Sequence, residues 1–155
     1  MCKKSVVAIL LIVFSIAAAR AGGVTNVKEI INNTSVILEV SKLEPKLGNP
    51  YSGDHTGEIA ANGGVWTGDM WIPWVNNEQD GRDRWMGIYY NASTGNNRNN
   101  QIEFFIWQTG DYVRYSKKQY IQNAPKIPGE SKSGGERRLI ISEKDKKFFI
   151  RFEKL

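Results

Sequence analysis

The amino-acid sequence predicts an all-β fold, an antiparallel β-sandwich of the jelly-roll type or similar, in a single domain at residues 22–155. Three observations predict this class. Hydrophobic residues recur with a period of two in several short segments, and no long segment has the 3.6-residue period of a helix. Turns rich in Gly and Asn separate these segments. No internal repeat of the length found in propellers is visible, which favours a sandwich. We expect about seven to nine strands from these segments.

The first 21 residues have the composition of a secretory signal peptide. Two lysines precede an apolar run at Val6–Ala19, and the Ala-Arg-Ala sequence at 19–21 has the small residues of a cleavage site. The run is shorter than the ~20 residues that span a bilayer, which favours cleavage over anchoring. We therefore expect residues 1–21 to be removed and residues 22–155 to be secreted into the extracellular space.

Removal of this segment changes both the charge and the cysteine content. It contains three of the 21 basic residues and none of the 16 acidic ones, so the net charge falls from +5 to +2. No long Lys/Arg tract remains, and we do not expect nucleic acid as a partner. Cys2, the only cysteine, is removed as well, so the mature domain must be stabilised by its core without a disulfide.

The first half of the mature chain contains two predicted strands and one ambiguous segment. Residues 26–33, NVKEIINN, fit a short helix or a strand equally well. Residues 35–42 are rich in branched side chains and predict a strand. Residues 84–91 mix aromatic and aliphatic side chains and predict another. The Asn- and Gly-rich residues 92–100 predict a loop.

The second half predicts two hairpins. In the first, Ile102, Phe104 and Ile106 alternate with Glu103, Phe105 and Trp107, and Thr109-Gly110-Asp111 supplies the turn before Tyr112 and Val113. The second has its turn at Glu143–Lys146. In its return strand, Phe148, Ile150 and Phe152 share one face, which we expect to be buried, and Phe149 interrupts the alternation.

Four of the five tryptophans, Trp66, Trp71, Trp74 and Trp85, lie close together in the sequence. Pro73 cannot donate a ladder hydrogen bond, which places Trp71 and Trp74 at a sheet edge or in a loop. Exposed aromatic clusters usually contact a ligand. The alternative is that all four indoles are core packing.

The aromatic and polar residues of this stretch predict a non-enzymatic, carbohydrate-binding, lectin-like protein. An aromatic ring can stack on the apolar face of a sugar, and neighbouring polar groups can bind its hydroxyls. The predicted ligand-binding residues are Trp71, Trp74 and Trp85 for stacking and Asn76, Asn77, Asp80 and Arg82 for hydrogen bonding.

Two other functions use the same features differently. A membrane- or lipid-binding secreted module, such as a cytolysin-like toxin, would place the same aromatic rings at the membrane interface. A structural or inhibitory secreted protein would have no small ligand. The sequence leaves the oligomeric state open.

Catalytic and metal-binding patterns are weak. His55 is the only histidine, close to Asp54 and Glu58, and the simplest interpretation is a solvated loop residue. Residues 76–84 offer oxygen ligands without the spacing of an EF-hand, and an ordinary polar loop explains them. The chain has 16 acidic residues, so pairs of carboxylates that could hydrolyse a glycosidic bond arise by chance and indicate little. We therefore expect no enzyme activity, no catalytic residues, no metal and no cofactor.

Three asparagines stand in Asn-x-Ser/Thr sequons: Asn32, Asn33 and Asn91. In a host that glycosylates secreted proteins, such sites lie on surface loops. The sequence therefore predicts glycosylation at these three positions.

Overall fold

The computed structural model describes residues 23–44, 54–94 and 97–155, with the backbone alone at 91–94 and 97–100. The predicted signal peptide lies outside the described residues. The described chain is mostly β, as predicted, with nine strands and one short helix. In chain order they are β1 (Thr25–Asn33), β2 (Leu38–Leu43), β3 (His55–Ile59), β4 (Gly64–Trp71), α1 (Glu78–Asp83), β5 (Trp85–Thr94), β6 (Asn97–Gln108), β7 (Val113–Ser116), β8 (Gly135–Lys144) and β9 (Lys147–Lys154). Within these ranges, no helix has the length and apolar character needed to cross a membrane.

The strands form two sheets. One has four strands in the order β4-β1-β8-β9, and the other has five in the order β3-β2-β5-β6-β7. The ladder between β1 and β8 is parallel, whereas the other strand ladders are antiparallel. The prediction of purely antiparallel, jelly-roll pairing is therefore wrong at β1–β8. Parallel pairing needs a long connection, and most of the chain lies between these two strands.

Both sheets contribute to one hydrophobic core. Most of its buried residues come from alternate positions of the strands, as the period of two predicts, while Ile72 and Ile127 come from connections. Ile150 and Phe152 are buried and Phe148 packs at the margin, which confirms the predicted inner face of β9. The buried members are Val27, Ile30, Leu38, Val40, Ile59, Met70, Ile72, Met86, Ile88, Phe104, Ile106, Val113, Ile127, Leu139, Ile141, Ile150 and Phe152.

Both predicted hairpins are confirmed, and one predicted loop is wrong. The β6–β7 and β8–β9 ladders have their turns where the sequence placed them, and Asp145 and Lys146 both have positive φ, as in the turns that suit hairpin twist. Residues 92–94 and 97–100, predicted as loop, instead extend β5 and β6. Cross-strand backbone hydrogen bonds there outweigh the low β-propensity of Asn. Residues 26–33, which fitted a helix or a strand equally well, lie in strand β1, between β4 and β8 in the sheet.

Asn32 is a buried structural residue in the folded chain, which argues against its predicted glycosylation. Its side-chain Nδ2 donates to the carbonyl oxygens of Val36 at 2.8 Å, Ala60 at 3.0 Å and Ile59 at 3.1 Å. Its Oδ1 accepts from the hydroxyl of Thr34 at 2.7 Å. A glycan on Nδ2 would break these bonds in a site with no exposed area, since the relative exposure of Asn32 is 0%.

The two other sequon asparagines differ from Asn32. Asn33 is exposed at the end of β1 and can accept a glycan without disturbing the core. Asn91 pairs with Asn100 in the β5–β6 ladder, and its side chain lies outside the described part of the structure. Glycosylation at Asn33 and Asn91 stays a prediction.

Candidate functional site: an aromatic cleft on the five-stranded sheet

The outer face of the five-stranded sheet carries an unusual row of side chains. In β5, Met86 and Ile88 are buried in the core, so Trp85, Gly87 and Tyr89 alternate onto the outer face. The neighbouring strand β2 places Leu43, Ser41 and Glu39 opposite these three residues, in that order. Two aromatic rings and several polar groups therefore share one patch of the sheet.

These side chains line a cleft of about 310 Å³. Its residues are Glu39, Ser41, Lys42, Leu43, Asp54, His55, Trp85 and Tyr89. A volume of this size lies at the lower end of the range for small-ligand sites. The cleft is open to solvent, and His55, the first residue of the edge strand β3, is exposed at its rim.

Gly87 makes the close approach of the two rings possible. A Cβ atom at this position would lie 2.9 Å from Cζ3 of Trp85 and 2.9 Å from Cε2 of Tyr89, closer than side chains pack. The rings are tilted by 44° with their centroids 6.3 Å apart. They therefore form adjoining walls over a backbone floor.

Trp85 is held in place from its other side. Its ring meets Phe105 of β6 edge to face, at 5.2 Å between centroids and 81° between planes. Such pairs add to stability beyond the area they bury. Trp85 Nε1 is buried without a hydrogen-bond partner in the described structure, so it is the ring and not its N–H that the cleft offers.

The polar rim of the cleft carries more acid than base. Lys42 Nζ lies 3.1 Å from Oε2 of Glu44 and 3.4 Å from Oδ2 of Asp54, so this lysine is already shared between two carboxylates. Glu39 lies directly opposite Glu58 across the β2–β3 ladder. Like charges in this position repel each other, and within the described chain neither glutamate has an ion pair.

The acidic rim also affects Tyr89. Burial, followed by the charge of Glu39, raises the pKa of the Tyr89 phenol to about 12. Tyr89 is therefore neutral at physiological pH, and its hydroxyl can both donate and accept a hydrogen bond. His55 is exposed, as predicted, although it begins a strand and lies at the rim of the cleft instead of in a free loop.

A second, smaller core covers the other end of this sheet face. Trp107, Val75 and Ala124 are its buried members, with Phe105 and Tyr120 packed against them. Helix α1 packs on this cluster through Gly81, which is buried against the ring of Tyr120. A Cβ atom at Gly81 would overlap that ring, so only glycine allows this close packing. The covered cluster thus supports Phe105, and through it Trp85.

The predicted polar residues are used within the chain's own local structure. Asn77 caps α1, its Oδ1 accepting from the Asp80 backbone at 2.9 Å, and Asp80 Oδ2 accepts from the Asn76 backbone at 3.0 Å. Arg82 pairs with Glu78 one turn earlier, at 2.6 Å. The prediction of a polar loop at 76–84 is wrong, since a capped turn of helix forms there.

The predicted tryptophans are not brought together. Trp71 is 47% exposed on the edge strand β4 of the other sheet, which excludes the alternative that all four indoles are core. Trp74 is half-buried, bridges to Gln108, and donates from Nε1 to Oδ1 of Asn76 at 2.7 Å. Asn76 and Asn77 line a separate cleft of about 500 Å³ beside Glu78. Of the seven predicted binding residues, Trp85 alone lines the aromatic cleft.

Sequence reasoning missed Glu39, Ser41 and Tyr89. All three lie in segments predicted as strands, and the period of two already placed Glu39 and Ser41 on the face opposite Leu38 and Val40. What the sequence did not contain was the pairing of β2 with β5, which puts these side chains beside Trp85. In the described residues, no group of three or more His, Cys, Asp and Glu side chains is arranged to hold a metal ion.

Comparison with protein-family models, with curated proteins and with solved structures gave no match.

Proposed function

We propose that this chain is a secreted, non-enzymatic carbohydrate-binding protein whose sugar site is the Trp85–Tyr89 cleft. We further propose that its two sheets pack face to face as a β-sandwich. The observation that carries the functional proposal is the pair of convergent rings over Gly87, open to solvent and rimmed by polar groups. Flat apolar walls beside hydrogen-bonding groups suit a sugar, which has an apolar face and a hydroxylated edge.

Each part of the cleft has a role in this proposal. Trp85 and Tyr89 stack on the C–H face of a pyranose ring. The Glu39 carboxylate accepts hydrogen bonds from two hydroxyls, and the Ser41 hydroxyl both donates and accepts. Because Trp85 is fixed by Phe105, little side-chain entropy is lost when the sugar binds.

The charge of the rim limits the class of glycan. Among the described residues that line the cleft, Glu39 and Asp54 outweigh Lys42, so the cleft is net negative although the chain as a whole is basic. An anionic sugar, sialylated or sulfated, would be repelled. We therefore expect neutral or amino sugars as ligands.

A glycan array probed with the mature protein tests the proposal, followed by titration of the best neutral ligand. Trp85→Ala should reduce its affinity at least ~30-fold, the loss typical of an aromatic anchor. Trp71→Ala is the matched control, because Trp71 lies on the other sheet, and should leave binding unchanged. Glu39→Gln should weaken binding less and should relax the rejection of anionic glycans.

The opposite pattern would overturn the proposal: loss of binding with Trp71→Ala and none with Trp85→Ala.

A second candidate, the membrane- or lipid-binding module, is favoured by the exposure of Trp71 and Phe149, at 47% and 49%. Flotation with phosphatidylcholine and phosphatidylserine vesicles tests it in the same protein. Vesicle binding without any glycan ligand would favour this candidate.

A further inference from the structure

A further cleft, apolar in its lining, lies between the edge strands β7 and β9, on the side of the molecule where these edges of the two sheets meet. Its volume is about 380 Å³, within the range of small-ligand sites. Its walls include Phe104, Tyr115, Pro125, Phe148, Phe149 and Ile150. It shares no lining residue with the Trp85–Tyr89 cleft.

The floor of this cleft is the hydrophobic core. Phe104 and Ile150 belong to the main cluster and are only 2% and 4% exposed, and Tyr115 and Phe148 pack against the same cluster. Phe104 and Tyr115 meet edge to face at 5.7 Å between centroids. An apolar group that enters the cleft would therefore leave water for contact with closely packed apolar side chains.

The cleft is closed at one end and open at the other. At the closed end, the loop after β7 covers the edge of β9, where the Phe152 backbone donates to the Pro128 carbonyl at 2.8 Å and accepts from Glu130 at 3.1 Å. Along Phe148–Ile150 no described strand pairs with this edge, and Phe149 is 49% exposed. The opening is thus a slot beside a bare strand edge.

Lysines lie at the two strand ends that meet at the open end. The Val113 backbone donates to the Ser131 carbonyl, and Gly129 pairs with Phe152, so the start of β7 lies beside the end of β9. Ser116 and Lys117 line the cleft together with Phe148, so the end of β7 lies beside the start of β9. Lys117 and Lys118 follow the end of β7 directly, and Lys147 begins β9.

The charge at this end is positive overall. Lys117 Nζ lies 5.5 Å from the centroid of the Phe104 ring, at the mouth, and 2.6 Å from Oε1 of Glu103. Beside the start of β9, the hairpin carries Glu143 and Asp145 against Lys144, Lys146 and Lys147, and Lys147 has no ion pair within the described chain. An anionic group at the mouth would be attracted by charges that are only partly neutralised.

We propose that this cleft binds a free medium-chain fatty acid. The hydrocarbon chain lies on the Phe104–Ile150 floor, and the carboxylate lies between Lys117 and Lys147. An apolar slot with a positive mouth matches the two parts of this ligand. A single chain fits better than a membrane phospholipid, which has two, because the volume is near the lower limit of ligand clefts.

The test is calorimetric titration of the mature protein with octanoate, decanoate and dodecanoate, each below its micelle concentration. We expect saturable binding of one molecule, with affinity rising about fourfold for each methylene until the cleft is full. Decanoate should also raise the melting temperature of the protein. Decyltrimethylammonium has the same chain with the opposite charge and should bind at least about tenfold more weakly.

Two exposed positions test the geometry with matched controls. Phe149→Ala removes part of the wall and Lys147→Glu reverses a charge at the mouth, and each should weaken decanoate binding about tenfold. Val65→Ala, an exposed apolar residue of β4, and Lys154→Glu, at the far end of β9, should have no effect. The melting temperatures of the four variants without ligand check that each is folded.

Four results would overturn the proposal: no saturable binding of dodecanoate, affinity independent of chain length, equal binding of the cationic surfactant, or normal decanoate binding by both Phe149→Ala and Lys147→Glu. Binding to anionic phospholipid vesicles without binding of monomeric fatty acid would also overturn it. Trp85→Ala should leave decanoate binding unchanged, so the outcome is independent of the sugar site.

Discussion

The outer faces of the two sheets have different chemistry. On the four-stranded sheet, charges are matched: Arg138 pairs with Glu29 at 2.7 Å and with Glu153 at 3.4 Å, and Lys28 pairs with Asp69 at 2.7 Å. On the five-stranded sheet, Glu39 and Glu58 face each other without an ion pair in the described chain, beside two aromatic rings.

This difference separates a solvated surface from a candidate binding surface. A matched set of exposed charges is satisfied without a ligand, and it contributes little to stability. Half-buried rings and opposed carboxylates leave interactions that a ligand can complete, at some cost in stability to the free protein. Substitutions on the four-stranded sheet should therefore change stability alone, whereas substitutions in the cleft of the five-stranded sheet should change binding.

The largest effect should come from the core that supports both faces. Phe152 is 1% exposed, and its truncation in Phe152→Ala should lower the free energy of unfolding by ~3–5 kcal/mol. Both sheets should unfold in one transition. Thermal denaturation monitored by near- and far-ultraviolet circular dichroism measures it.

Lys147→Ala, on the exposed start of the same strand, is the stability control and should change the free energy of unfolding by less than ~0.5 kcal/mol. Equal effects from Phe152→Ala and Lys147→Ala would mean that the inner face of β9 is wrongly assigned. Two separate transitions would mean that the sheets do not share a core.

The next effect should be confined to the aromatic cleft. Gly87→Ala inserts a methyl group between Trp85 and Tyr89, which must move apart, and we expect a loss of stability of ~1–3 kcal/mol. The neutral glycan ligand should bind at least about tenfold more weakly to the separated rings, as measured by titration.

Gly110→Ala is the matched control for this substitution. Gly110 lies in the β6–β7 turn, has no atom within 4 Å of the added Cβ, and is not among the glycines with positive φ. It should leave binding intact. A Gly87→Ala protein that binds normally would show that the close approach of the rings is unimportant.

The third effect is a pH dependence specific to the five-stranded sheet. The pKa of Tyr89 rises from 10.0 to about 12 on folding, so between these values the unfolded chain loses this proton first. The unfolded state then binds fewer protons than the folded state, and the contribution of Tyr89 to stability falls as pH rises through this window. Ultraviolet difference absorbance should show one late-titrating tyrosine.

Tyr89→Phe should remove that late titration and flatten the loss of stability at alkaline pH. Glu39→Gln should lower the pKa of Tyr89, since the Glu39 charge contributes to the shift. A Tyr89 that titrates near 10 in the folded protein would mean that its ring is open to water.

The smallest effects should have opposite signs on the two faces. Arg138→Ala removes matched, solvent-screened pairs and should destabilise the protein slightly. Glu39→Gln removes the repulsion by Glu58 and should stabilise it by ~0.2–1 kcal/mol. Chemical denaturation at low and high salt measures both, and both differences should shrink as salt rises. Destabilisation by Glu39→Gln would mean that this carboxylate has an attractive partner.

The comparison also explains how far the sequence could predict the site. Of the predicted binding residues, Trp85 lines the aromatic cleft, whereas Asn77 and Asp80 cap and brace α1. A polar residue in a short connection can satisfy a helix end or a ligand, and composition does not distinguish the two. Trp71 was grouped with Trp85 because they are close in sequence, although they belong to different sheets.

The sequence by itself determined which side of β9 faces the core. It predicted Ile150 and Phe152 as buried and placed the two long hairpins, because side-chain alternation and turn chemistry are local properties. Only the tertiary structure decided which strands became neighbours. The parallel β1–β8 ladder and the β2–β5 register, which bring Glu39 to Tyr89, join residues far apart in the chain. Such pairings depend on the packing of the whole core, so no local pattern contains them.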